Sequence, residues 1–272
     1  MKYRIGFTAE EPINTLVSNT SFTKPRSDMP VKSVVQVRFQ RRDLVLSYYN
    51  DKFDLRCGDV VYVGGKMAGL RARVVDVTYN FKIKLSQYQK VVALVDTEVH
   101  GDFYLTFSHF LTLDKTALPR EKVRAWYKAP DEEDEGYESG EGEEDDFLLD
   151  DLSEMDISKA ATACGREYYI DGRVRYLSLD GSKGYAIVEG SENYEIEFIY
   201  KDGIISHLVC GCYCVGHCKH EYAAMLQLRA ALDWIEENCA VEYERTGYLA
   251  VICKDDLFGF VLDAKETGKI IL

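Results

Sequence analysis

At 272 residues the chain is long enough for two domains with cores of their own, and a composition 46% hydrophobic and 12% aromatic excludes a wholly disordered polymer. No stretch approaches the ~18 continuous apolar residues a membrane-spanning helix needs, and the start, Met1 to Pro12, has no apolar run of the secretory kind. A reducing, cytoplasmic location without membrane contact is the expectation. The formal net charge of −13 is unevenly spread: residues 1–129 carry 21 basic against 13 acidic side chains (+8), residues 130–158 fifteen acidic and no basic ones, and residues 159–272 carry 12 against 18 (−6).

The first segment, 1–129, reads as a small β domain. Val34 to Phe39 alternates, Asp43 to Tyr49 follows a short basic turn, and Asp59 to Val63 with Leu70 to Tyr79 flank the glycine-bearing turn Gly64 to Gly69. Val91 to Val95 and Asp102 to Phe107 complete five or six short strands, which predicts a barrel-like sheet. Gly64-Gly65-Lys66 is not a phosphate loop, because Met67 follows the lysine in a β context. No Ser/His/Asp set stands in a recognisable elbow, and His100 and His109 read as turn or surface residues. Arg38, Arg41, Arg42, Arg71, Arg73, Lys82 and Lys84 are interleaved with Tyr48, Tyr49, Tyr62, Tyr79, Phe81 and Tyr88. Cations for phosphate and rings for stacking are what single-stranded nucleic acid requires, whereas a solvated basic face over a ring-filled core is the structural alternative.

Residues 130–158 repel one another and offer little to bury, so an acidic, disordered linker is expected. Phe147, Leu148 and Leu149 interrupt the acids as an apolar island suited to docking on a neighbour.

From 159 to 272 an antiparallel meander is expected over Arg173 to Leu179, Tyr185 to Glu189 and Tyr194 to Tyr200, with turns at Asp180-Gly181 and Asp202-Gly203. A long helix follows over Glu221 to Glu237, then strands at Tyr248 to Cys253 and Leu257 to Leu262. Between meander and helix lies Cys210-Gly211-Cys212-Tyr213-Cys214-Val215-Gly216-His217-Cys218-Lys219-His220. Alternate residues of an extended chain share a face, so a Cys-x-Cys pair presents two thiolates to one ion and Cys218 with His220 presents a second pair. Three sulfurs and an imidazole make a closed tetrahedral site of the structural zinc type. Cys57, Cys164, Cys239 and Cys253 are scattered singly, as small core residues would be. Two ligand sets remain open: Cys210, Cys212, Cys218 and His220, or the same set with Cys214 in place of Cys210.

Cys-x-Cys followed by Cys218-x-His220 and Glu221-Tyr222-Ala223-Ala224-Met225-Leu226 resembles the SWIM zinc finger, and residues 165–209 resemble the β-strands that precede the finger in bacterial members. Tyr213 stands where proline is usual in that family. The resemblance runs from Gly165 to about Trp234 and implies one structural Zn2+, the Cys210 ligand set, and a role in binding DNA or protein beside helicase-type ATPases. The fold expected is mostly β with an α+β second half. The functional expectation is a zinc-binding adaptor, not an enzyme, that contacts single-stranded nucleic acid or a DNA-acting protein; a purely protein-binding module is the alternative.

Overall fold

The computed structural model describes residues 32–39, 44–79, 81, 87–106, 108–130 and 146–261, with the backbone of 2–5, 7–8 and 269–270. The chain opens with β1 (Lys2–Ile5), β2 (Phe7–Thr8), β3 (Ser33–Phe39), β4 (Leu44–Asn50), β5 (Val60–Val63), β6 (Arg71–Thr78) and β7 (Val91–Val95). It continues through β8 (Gly101–Leu105), β9 (His109–Thr112), α1 (Arg120–Tyr127), β10 (Phe147–Leu148), α2 (Lys159–Ile170), β11 (Val174–Asp180), β12 (Lys183–Glu189), β13 (Asn193–Lys201) and β14 (Ile204–Cys210). It ends with α3 (Lys219–Asn238), α4 (Ala240–Thr246), β15 (Tyr248–Cys253), α5 (Lys254–Val261) and β16 (Lys269–Ile270). No helix of the described residues is long and apolar enough to cross a membrane.

The fold is mixed α and β with antiparallel sheets. A five-stranded sheet in the order β4-β3-β6-β5-β7 buries Val35, Val37, Val61, Ala72, Val74 and Val91, the inward set of its alternating strands. It curls until β4 approaches the start of β7 at one parallel bridge, Tyr49 to Lys90, and does not close into the expected barrel.

The larger sheet has nine strands in the order β1-β8-β9-β15-β11-β12-β13-β14-β10. Its two faces bury different cores. Leu177, Leu179, Ala186, Val188, Ile196 and Ile205 meet α3 on one side; Tyr176, Tyr185, Ile187 and Ile252 meet Trp126 of α1 and Phe260 of α5 on the other. β8 and β9 come from the segment before residue 129, and β9 pairs with β15 from Ala250↔Thr112 to Cys253↔His109. The sheet thus recruits strands from both sides of the boundary that the charge distribution suggested. His109, expected at a surface or turn, is buried in β9 and bonds through Nε2 to the Val174 carbonyl at 2.9 Å.

Turn chemistry explains the meander. Asp202 (φ 53) and Gly203 (φ 85) are both left-handed, the two-residue loop that matches strand twist. Leu257 to Leu262, expected as a strand, lies in α5 as far as Val261, and Leu262 lies outside the described residues. Leu257, Phe260 and Val261 are buried at helical spacing, and Asp255 and Asp256 sit in the favourable first turn. Residues 165–170, read as strand by resemblance, belong to α2, capped by Ser158 Oγ accepting from the Ala161 amide at 3.2 Å.

Within the expected linker, residues 131–145 lie outside the described residues, but 146–158 are packed against the sheet. β10 pairs with β14, and Phe147, Leu149, Leu152 and Met155 are buried against the α3 core while the acids between them face outward. Burial of four large apolar side chains outweighs local charge repulsion, because each contributes about 1.5–3 kcal/mol and the carboxylates stay in water. With α2 on another flank, this strap explains why Tyr222 to Leu228 of α3 are buried without interruption.

Candidate metal centre

Register decides where Cys210 points. In β14 Ser206 lies opposite Ile199 while Val209 lies opposite Glu197, so His207 and Leu208 together oppose Phe198. That is a β-bulge, and His207 adopts φ 49 within it. Ile205 and Leu208 both face the α3 core, three positions apart instead of two. Alternation resumed from Leu208 turns Cys210 toward α3, whereas an unbroken strand counted from Ile205 would turn it away. Cys210 lies opposite Ile196, which is fully buried on the same face.

The second pair comes from the start of α3. Cys218 is its N-cap, its sulfur accepting from the Glu221 amide, while the Glu221 carboxylate accepts from the Cys218 amide at 2.7 Å. This capping box fixes both ends of the first turn. Glu221 also receives His217 Nδ1 at 3.2 Å, and the Phe147 ring meets His217 edge-on at 6.0 Å, so the strap touches the shell around the site. Sequence reasoning missed this box, because cysteine is not among the usual cap residues and Cys218 carried only the signal of a metal-ligand candidate.

Cys210, Cys212, Cys218 and His220 bring one ligand atom each to within 4.8 Å of one another. His220 Nδ1 lies 3.9 Å from Cys210 Sγ and 3.7 Å from Cys218 Sγ, so that nitrogen faces the sulfurs. The imidazole is stacked on Tyr194 with centroids 4.4 Å apart and meets Tyr168 edge-on at 5.5 Å. Its Nε2 is buried and has no hydrogen-bond partner among the described residues. Cys214 is exposed and stands outside the four.

The three thiols do not ionise alike. The hydrogen bond to Cys218, then burial, pushes the Cys210 thiol far above its ordinary range, and burial pushes Cys212 up to about 12. Cys218, favoured by the Cys210 hydrogen bond, His220 and the Glu221 amide, is held down at about 3. A dication among them would stabilise every thiolate, so the donor set fits a metal ion: three soft sulfurs, of which Cys218 stands at a helix N-terminus, and one imidazole.

The first-half cations are placed differently. Arg38 on β3 is exposed and lies opposite Arg73 on β6; Arg73 Nη1 donates to the Gly58 carbonyl at 3.3 Å; and the Arg71 guanidinium lies 4.3 Å from the Phe260 ring centroid. Arg41, Arg42, Lys82 and Lys84 lie outside the described residues. Of the rings between them Tyr48, Tyr49 and Tyr62 are buried, and Tyr79 is exposed. Arg120 and Arg124 of α1 and Lys128 just after it are turned onto the meander: Arg124 Nε reaches Glu195 at 3.0 Å, Lys128 reaches the same carboxylate at 3.6 Å, and Arg120 pairs with Glu197, while Lys122 pairs with Asp96.

No family model, curated protein or solved structure matches the chain.

Proposed function

We propose that the chain is a zinc-binding, non-catalytic adaptor in which Cys210, Cys212, Cys218 and His220 hold one structural zinc ion in a SWIM-type finger. The observation that carries this reading is the four-residue cluster itself, closed by protein donors at the start of a buried helix. Three thiolates and one imidazole suit zinc, whose structural sites are tetrahedral and whose catalytic sites keep a position for water. The partner is nucleic acid or a DNA-acting protein such as a helicase-type ATPase, met in the reducing cytoplasm where such thiols stay free.

The test has two parts. Metal analysis of the purified chain should give one zinc per molecule, and capture of partners from native lysate with and without nuclease should show which class the adaptor serves. A chain that purifies without metal and folds equally well after chelation would remove the finger; partners lost with nuclease would identify nucleic acid.

A purely protein-binding module is favoured by a different observation. Arg71, Arg120, Arg124 and Lys128 are turned onto other parts of the same chain, which reduces the cationic surface of the +8 segment. Under that reading the captured partners survive nuclease.

A further inference from the structure

Gly190 opens the turn between β12 and β13, yet the turn itself does not require glycine. Its backbone lies outside the left-handed region, so alanine could adopt it, and its amide donates to the Glu192 carbonyl at 2.7 Å. What requires glycine is space. A Cβ there would lie 2.8 Å from Tyr194 Cε2 and 3.1 Å from His220 Nε2, both closer than such atoms ordinarily pack. The Tyr194 ring is not free to move off, because it is itself stacked on the imidazole, with 4.4 Å between centroids and 25° between planes. Tyr168 meets the same imidazole edge-on at 5.5 Å, and His220 is buried.

Strand register puts this packing beside the thiols. Tyr194 lies opposite Val188, which is buried in the α3 core, and two residues further along β13 Ile196 shares that face and lies opposite Cys210. The Ser191 and Tyr194 hydroxyls share a hydrogen bond of 2.7 Å, which tethers the outer end of the ring to the turn. The imidazole thus has Nδ1 at 3.7 Å from the Cys218 sulfur and 3.9 Å from the Cys210 sulfur, and its other nitrogen, Nε2, against Gly190.

We infer that Gly190 and Tyr194 are positioning residues of the metal site, a seat that sets how far the His220 imidazole stands from the three thiols. The inference rests on the zinc reading above and extends it from the four donors to the β12–β13 turn. A Cβ at position 190 pushes on Tyr194 and on His220 at once, and both pushes end at the imidazole. Bringing a 2.8 Å contact out to ordinary packing takes about 0.7 Å, whereas a metal–nitrogen bond tolerates errors of only about 0.2 Å.

Competition for zinc between the full chain and a colorimetric chelator, beside the absorption bands of the Co2+-substituted protein, tests it. Gly190→Ala should bind zinc about ten-fold more weakly than the parent and shift the Co2+ bands, because a displaced imidazole changes the ligand field while the thiolates stay. Tyr194→Phe keeps the stack and should match the parent. Tyr194→Leu should also bind zinc more weakly, and adding Gly190→Ala to it should weaken binding little further, since the new Cβ then meets no ring; that non-additivity is what a shared seat requires. Parental affinity and bands in Gly190→Ala would overturn the seat and leave the zinc reading in place, whether or not its melting temperature falls, since a fall alone marks a packing residue. Where Gly190→Ala does not fold, Tyr194→Leu decides: weaker zinc binding upholds the seat and parental binding overturns it. A parent chain that takes up neither zinc nor Co2+ would remove the seat and the zinc reading together.

Discussion

His207 is the residue on which the direction of Cys210 depends. A non-glycine residue in the left-handed region costs roughly 1 kcal/mol, and the extra residue changes which face of β14 presents Cys210 to the other three members of the Cys/His cluster. His207→Gly should therefore stabilise the chain by up to about 1 kcal/mol and keep its zinc, whereas deletion of His207 should turn Cys210 away and lose it. Metal stoichiometry beside thermal melting checks both, and a deletion variant that keeps one zinc would show that the bulge does not aim the ligand. The ligands themselves give a second prediction. Ser at Cys210, Cys212 or Cys218, or Ala at His220, should empty the site and destabilise the module, because a structural metal contributes folding energy through every ligand. Cys214→Ser should leave zinc content unchanged. A Cys214→Ser protein without metal beside a metal-loaded Cys210→Ser protein would exchange the two residues' roles.

The elements show what could be read in advance. The clustered Cys/His residues, the long helix that became α3, and the strands β11, β12 and β13 were legible, because metal-ligand spacing, helical periodicity and Asp-Gly turns are local signals. α2 was not. Its residues look ambiguous alone, and what fixes it is a tertiary contact: Gly165 packs so closely on α3 that an added Cβ would lie 2.8 Å from the Lys219 carbonyl and 3.0 Å from Tyr222. The strap was half legible, since Phe147 to Leu149 stand out from the acids, but Leu152 and Met155 are spaced singly among acids and are set apart only by their burial against the α3 core. α5 was misread because a short apolar run supports helix and strand alike, and only its burial at three- and four-residue spacing separates them. Gly165→Ala should cost about 1–3 kcal/mol, since the nearest atom is backbone and cannot rotate aside. Because Lys219 lies between two ligands, the same change should also weaken zinc retention against a chelator. A Gly165→Ala protein with parental melting temperature and parental zinc retention would show that the two helices can separate without cost.

At the scale of the whole molecule, charge and topology point in different directions, and topology is the stronger constraint. The charge profile separates a basic segment from an acidic one near residue 129, yet the two are joined by buried structure. β9 is hydrogen-bonded to β15. Phe103, Phe110 and Trp126 from before the boundary share a core with Tyr176, Tyr185 and Ile252 from after it. Across it, the Tyr176 and Tyr248 hydroxyls both donate to the Leu118 carbonyl, at 2.8 and 2.9 Å. Cutting at 129 would strip β9 of a partner strand and expose three large aromatic side chains, each worth about 3 kcal/mol or more when buried. The opposing charges add to this: Arg120, Arg124 and Lys128 would lose Glu195 and Glu197, though as half-exposed pairs these contribute only tenths of a kcal/mol each. The full chain should therefore unfold in one transition followed alike by near-ultraviolet circular dichroism and by calorimetry, and a fragment of residues 1–129 should lack fixed aromatic packing and bind a hydrophobic dye. Two well-separated transitions, or a 1–129 fragment with a sharp melt of its own, would mean that the shared core is an interface between independent domains and that the charge boundary is also a folding boundary.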